Sequence, residues 1–205
     1  MLIKSKEKKE RSLGTRLFLK GERCASPKCV MIRRPYRPGE HGKARRRALS
    51  EYGTQLLEKQ RIRISYGLRE EQMEKLFKGA LGQGGSVGEV IVNALERQLA
   101  NVVYRFGFAS SRIIARQMVG HGHILVNGKK VMAPSYTVRI GDVISIKPAS
   151  RELLIFKELP VTLKKYDAPD WLTIDKEKIE GTVKSLPHNV EIPFDINLVV
   201  DYYSK

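Results

Sequence analysis

The densest chemistry in the sequence lies between Ser111 and Lys130. Arg112 and Arg116 are four residues apart, so a helix places them on one face, with Gln117 beside it. His121 and His123 add planar, hydrogen-bonding rings, and Gly120 and Gly122 let a backbone come close. Asn127-Gly128 turns the chain, and Lys129 and Lys130 follow directly. A guanidinium pair suits bidentate contact with phosphate oxygens. Few aromatics stand on the strand pattern that follows. That argues against base stacking on a sheet and for recognition of a folded RNA by its shape. A solvated basic helix face is the plain alternative for Arg112 and Arg116.

Cys24 and Cys29 form the one metal-like pair. Their C-x4-C spacing is tolerated in zinc sites, but a closed structural site needs four ligands. His41 could add a third. Two reduced structural thiols is the reading adopted. His121-Gly122-His123 reads as a turn, since no acid or thiol lies close in sequence. Gly82-x-Gly84 has Val87 where a third glycine belongs, and Gly128-Lys129 lacks the upstream spacing and the Ser/Thr of a phosphate loop. No triad or carboxylate pair is recognisable, so the chain reads as a non-enzyme.

Several elements must position these groups. Tyr52, Leu56, Leu57 and Ile64 suit a helix from Ser50 to near Gly67. A second helix over about Arg69 to Ala80 puts Met73, Leu76, Phe77 and Ala80 on one face. After a connector, Leu81 to Gly85, the S-x-x-E box of Ser86 and Glu89 predicts the start of one long helix to Phe106, stopped by Gly107. Ser110 and Ser111 cap a short helix through Met118. Asn-Gly between Ile124-Leu125-Val126 and Val131 predicts a tight hairpin. A second turn at Gly141-Asp142 would join alternating Tyr136, Val138 and Ile140 to a strand through Ile146. Leu153 to Phe156 is an apolar patch, and Trp171 to Ile174 reads as a strand. The apolar tail, Pro193 to Tyr203, is expected to dock on the helices of 50–80, as strand or helix.

Charge narrows the partner. The 205 residues carry 38 Lys plus Arg and 22 Asp plus Glu, a net charge of +16. Residues 1–50 hold 16 basic and 4 acidic side chains, residues 51–100 hold 7 of each, residues 101–150 hold 7 and 1, and residues 151–205 hold 8 and 10. So uneven a charge points to a polyanion rather than to solubility alone. No apolar run approaches the ~18 residues of a membrane span, and Met1 to Gly14 lacks the apolar stretch of a secretory signal. Residues 1–48, with their prolines and like charges, are expected to be extended or irregular, and largely disordered without RNA.

Ser111-Arg112-x-x-Ala115-Arg116-Gln117-Met118-Val119-x-His121-Gly122-His123-Ile124-x-Val126-Asn127-Gly128-Lys129-Lys130-Val131 resembles the S-four RNA-binding domain, completed by Tyr136-x-Val138-x-x-Gly141-Asp142-x-Ile144-x-Ile146. Leu19 to Cys29, Arg37-Pro38-Gly39-x-His41-Gly42, Glu58-Lys59-Gln60-Arg61 and Leu95-Glu96-x-x-Leu99-x-Asn101-Val102-Val103-Tyr104-Arg105 extend the likeness to the bacterial small-ribosomal-subunit protein four family. An RNA-modifying enzyme carrying an S-four domain would need a catalytic domain for which the matched segments leave no room. A free S-four regulatory module would be shorter.

The resemblance implies an α+β fold. A basic N-terminal arm (1–43) precedes a helical domain (44–93, completed by 159–205), into which the S-four domain (94–158) is inserted. It implies a structural constituent of the small subunit that binds small-subunit ribosomal RNA at a multi-helix junction early in assembly. It implies contacts with small-subunit protein five and other small-subunit proteins. Lys43, Arg45, Arg46 and Arg47 would face the messenger-RNA path, near its entrance, where they support accuracy. Some relatives repress their own operon. RNA contact is further implied for Arg33, Arg34, Arg37 and His41, for Lys59, Arg61 and Arg105, and for Arg112, Arg116, Gln117, His121, His123, Asn127, Lys129 and Lys130. The implied location is cytoplasmic, away from membranes. Some relatives bind zinc through four Cys; this chain matches only the second pair, Cys24 and Cys29. No cofactor is therefore expected, with zinc as the alternative.

Overall fold

Residues 5–45, 47–82, 86–188, 190 and 192–204 are described by a computed structural model of the chain. Arg46, one of the expected RNA contacts, lies outside them, as does part of the 81–85 connector. The chain divides into two compact units, residues 1–91 with 191–205, and residues 92–190.

The N-terminal segment is not extended. It forms α1 (Lys6–Leu13), α2 (Glu22–Ala25), α3 (Val30–Arg33) and a 3-10 turn (Glu40–Lys43). Leu13, Leu17, Leu19, Cys24 and Cys29 are buried together with the carboxylate of Glu10. Glu10 accepts the backbone N–H groups of Leu17 and Leu19, each at 3.1 Å. Arg11 donates to the carbonyls of Tyr36 and Arg37, at 2.8 and 3.1 Å, and lies over the Tyr36 ring. Such a core is tied by side chains bonding to backbone, which leaves no amphipathic period to detect.

In the same unit, α4 (Glu51–Tyr66) starts where the Ser50 hydroxyl accepts the Gly53 N–H and ends at Gly67 in the left-handed conformation. The next helix, α5 (Glu70–Leu81), buries Met73, Phe77 and Ala80. The C-terminal tail is a helix, α11 (Ile196–Ser204), packed on α4 and α5, with the Tyr203 ring 5.1 Å from that of Phe77. Helix spacing wins over β-branching because Ile196 and Val199 then share one buried face.

The expected long helix is two. α6 (Val87–Glu96) and α7 (Leu99–Arg105) are separated because residues 134–138 run beside the break. The carbonyls of Tyr136 and Pro134 accept the N–H groups of Leu99 and Ala100, while Arg97 gives its carbonyl to Val138. Those bonds satisfy donors a new helix start leaves open. Residues 136–140 therefore form one bridge, Gln98 to Thr137, and not the expected strand.

α8 (Arg112–Gly120) packs on α7, and its first turn is capped by Ser111. β1 (Ile124–Val126) and β2 (Lys129–Lys130) form the hairpin, with Asn127 and Gly128 at φ 50° and 75°. β3 (Val143–Ile146) pairs antiparallel with β1, and the short helices α9 (Leu154–Lys157) and α10 (Leu159–Lys164) follow. β4 (Leu172–Asp175) and β5 (Glu180–Val183) complete a five-stranded antiparallel sheet in the order β2-β1-β3-β5-β4. The return to the helical unit thus comes near residue 191 and not at 159, because β5 bonds to β3. The core joins Val102, Val103 and Phe106 of α7 and its cap and Met118 and Val119 of α8 to Ile124, Ile144 and Ile146 of the sheet. Gly181 on β5 leaves no room for a side chain, since the Phe106 ring occupies that space.

Candidate RNA interface

Each unit presents its own group of cations. In the second unit α8 delivers the chain to His121, which follows the helix, and Gly122 at φ 74° turns it into β1. The Lys130 side chain, arriving from β2, lies across Gly122. His123 stacks edge-on to Phe156, and its Nδ1 lies 2.9 Å from the Ser150 hydroxyl. The register Ile124 to Ile146 sets Lys147 beside His123, where its N–H donates to the His123 carbonyl at 2.8 Å. Burial, then the charges of His121, Lys147 and Lys130, pushes the His123 pKa below that of a free imidazole. His121, His123, Lys130 and Lys147 therefore make one basic patch, with Lys129 exposed at the hairpin. Such a patch offers charge to phosphates and imidazole hydrogen bonds to ribose or base edges.

Lys147 was not singled out from sequence. Pairing 124–126 with 144–146 is the signal that finds it, because the residue after β3 then faces His123.

Several other expected contacts already bond to groups within the chain. Asn127 spends its side chain on the turn, donating to Asp142 at 2.8 Å and accepting the Val143 N–H at 2.9 Å. Arg105 makes a two-point pair with Glu96, at 2.8 and 3.0 Å. Arg112 donates to Asn101 at 2.6 Å and lies over the Tyr104 ring. Arg116 is half-buried on the same helix, and Gln117 is exposed.

In the first unit Arg33, Arg34, His41, Lys43, Arg45 and Arg47 are exposed, and Arg37 is half-buried. Lys43 lies over the Tyr36 ring. Lys59 and Arg61 face inward. Lys59 is buried against Glu70 and the Tyr202 ring. Burial opposes its charge, but hydrogen bonds to Glu70 and Tyr202 outweigh that and raise its pKa. Arg61 pairs with Glu58 and donates to the Leu13 carbonyl.

A family model described as the ribosomal protein S4/S9 N-terminal domain matches residues 1–96, and an S4 domain model matches residues 97–144. The small ribosomal subunit protein uS4 of Syntrophomonas wolfei is 47% identical over 94% of this chain and 93% of its own length. The chain belongs to the uS4 family. Small ribosomal subunit protein uS4A of Symbiobacterium thermophilum is 48% identical and uS4 of Magnetococcus marinus 47%, each over the same shares.

The uS4 family is a family of small-subunit ribosomal proteins and is not an enzyme class. Its S4 domain match carries the RNA-binding element, α7 through the start of β3. The β4–β5 hairpin lies beyond that match and still belongs to the same sheet. Among the described residues, no helix is long and apolar enough to cross a membrane.

The donors at the cysteine pair do not fit a closed zinc site. Cys24 and Cys29 are both buried, and they supply two donors where a closed structural site needs four. The neighbouring carboxylate, Glu10, already accepts two backbone N–H groups. Among the described residues, no group of three or more His, Cys, Asp or Glu comes together to hold a metal.

Proposed function

We propose that this chain is a structural constituent of the small ribosomal subunit in the cytoplasm, where it binds small-subunit ribosomal RNA at a multi-helix junction and nucleates assembly. The basic patch of His121, His123, Lys130 and Lys147, set on a rigid helix-and-hairpin scaffold, carries the reading. It supports recognition of a fixed RNA shape, because its parts are held by backbone pairing.

In this reading the exposed N-terminal cations, Lys43, Arg45 and Arg47 among them, face the path of messenger RNA near its entrance and support accuracy. Small-subunit protein five and other subunit proteins are the neighbours, and the chain also represses its own operon when unassembled. It performs no catalysis and holds its N-terminal segment without zinc, with Glu10 as the anchor. Sedimentation of native lysate tests the assignment. The chain should travel with small subunits and their precursors; recovery only at the top of the gradient would overturn it.

A further inference from the structure

At the end of α6, a carboxylate is fully enclosed. Glu96 is 0% exposed. One oxygen accepts the Arg105 Nε–H at 2.8 Å and the Asn101 amide at 2.8 Å. The other accepts from Arg105 Nη2 at 3.0 Å and lies 3.7 Å from Arg112 Nη2. Asn101 relays the order, accepting the Arg112 Nε–H at 2.6 Å. The Tyr104 ring lies against the Arg112 guanidinium, 4.7 Å from its centroid. The Arg105 carbonyl is in turn fixed by the Tyr166 hydroxyl at 2.9 Å.

One negative charge thus sits between two guanidiniums. Both arginines keep about a fifth of their side chains at the surface, 21% for Arg105 and 19% for Arg112. Local charge stays positive, while each planar fork is fixed in direction before any ligand arrives. A fixed fork loses less freedom on meeting a phosphate than a loose one, and it rejects phosphates at the wrong spacing.

We infer that Glu96 is a positioning residue for RNA recognition: it aims Arg105 and Arg112 at backbone phosphates of a folded RNA. The inference rests on the RNA-binding reading above. Its role is selectivity and not attraction, since a buried anion lowers the total pull on any polyanion. A carboxylate that only stabilised the fold would affect all RNA targets alike.

The test measures affinity of the full chain for two RNAs of equal length, a junction-bearing fragment of small-subunit ribosomal RNA and a perfect duplex. The wild-type chain should prefer the junction; no preference would overturn the RNA-binding reading, and this inference with it. Glu96→Gln keeps the side-chain shape and removes the charge. It should weaken junction binding at least tenfold and leave duplex binding unchanged or tighter, and Glu96→Asp should recover part of the preference. Arg112→Lys, which keeps the charge and loses the fork, should also lose preference with the salt dependence intact; it decides the matter if Glu96→Gln fails to fold. Wild-type preference retained in both folded variants, or equal loss on both RNAs, would overturn the inference while leaving the RNA-binding reading standing.

Discussion

The Cys24 thiol lies 3.9 Å from both oxygens of the Glu10 carboxylate. Glu10 is 1% exposed, and its carboxylate also accepts the Leu17 and Leu19 N–H groups. A buried acceptor with backbone donors orders the loop that follows α1, so a segment rich in like charges acquires a centre. Glu10→Ala leaves both N–H groups without an acceptor, which costs about 1–3 kcal/mol. Hydrogen exchange at Leu17 and Leu19 should quicken markedly, while a strong chelator should leave their protection in the native chain unchanged.

The Asn127 side chain holds the hairpin, bonding to Asp142 and to the Val143 N–H. Asn127→Ala removes its bonds to Asp142 and Val143 and puts a poorly suited side chain at φ 50°, at a cost of about 1–2 kcal/mol. Denaturant unfolding should report that loss. RNA affinity of the folded variant should stay at its wild-type value, whereas weaker binding at an unchanged salt slope would make Asn127 an RNA ligand.

Acid should loosen the second unit through His123. Its folded pKa lies below the roughly 6.5 of an unfolded chain, chiefly because of burial. Between the two values the unfolded chain binds the extra proton first, so stability falls as pH drops from about 6.5 toward the folded pKa. At higher pH the effect vanishes. Unfolding free energy measured across pH 5 to 7.5 should slope upward, and the slope should lessen in His123→Gln.

Gly181→Ala forces a methyl against the Phe106 ring in a filled core. Overpacking of this kind costs about 1–3 kcal/mol. Exchange protection of β5 amides should fall, with α4 and α5 unaffected; an unchanged β5 would mean the ring moves aside freely.

Where the sequence carries a period or a turn code, the fold was legible. Met73, Phe77 and Ala80 marked α5, and Asn127-Gly128 marked the hairpin. What escaped was decided at long range. Nothing local in Arg97-Gln98 breaks a helix; the 134–138 segment supplies the bonds that stop it. Leu17, Leu19 and Cys24 have no spacing to betray a core, because the Glu10 carboxylate gathers them. At the candidate site, Arg112, His121 and Lys130 were visible as chemistry. The ion pairs of Arg105 and Lys59 were not, since the Glu96 and Glu70 that hold them lie on other elements. Lys147 joins the patch only through the β1–β3 register.

The most direct test of RNA recognition by the second unit is the salt dependence of binding to a small-subunit ribosomal RNA fragment, for wild type and the triple variant Lys129→Ala, Lys130→Ala, Lys147→Ala. These lysines are exposed, so the fold should survive their removal. The variant should bind more weakly, with the slope of log affinity against log salt flattened by roughly 2–3 units, about one for each phosphate that a lysine no longer neutralises. An unchanged affinity and slope would contradict the account.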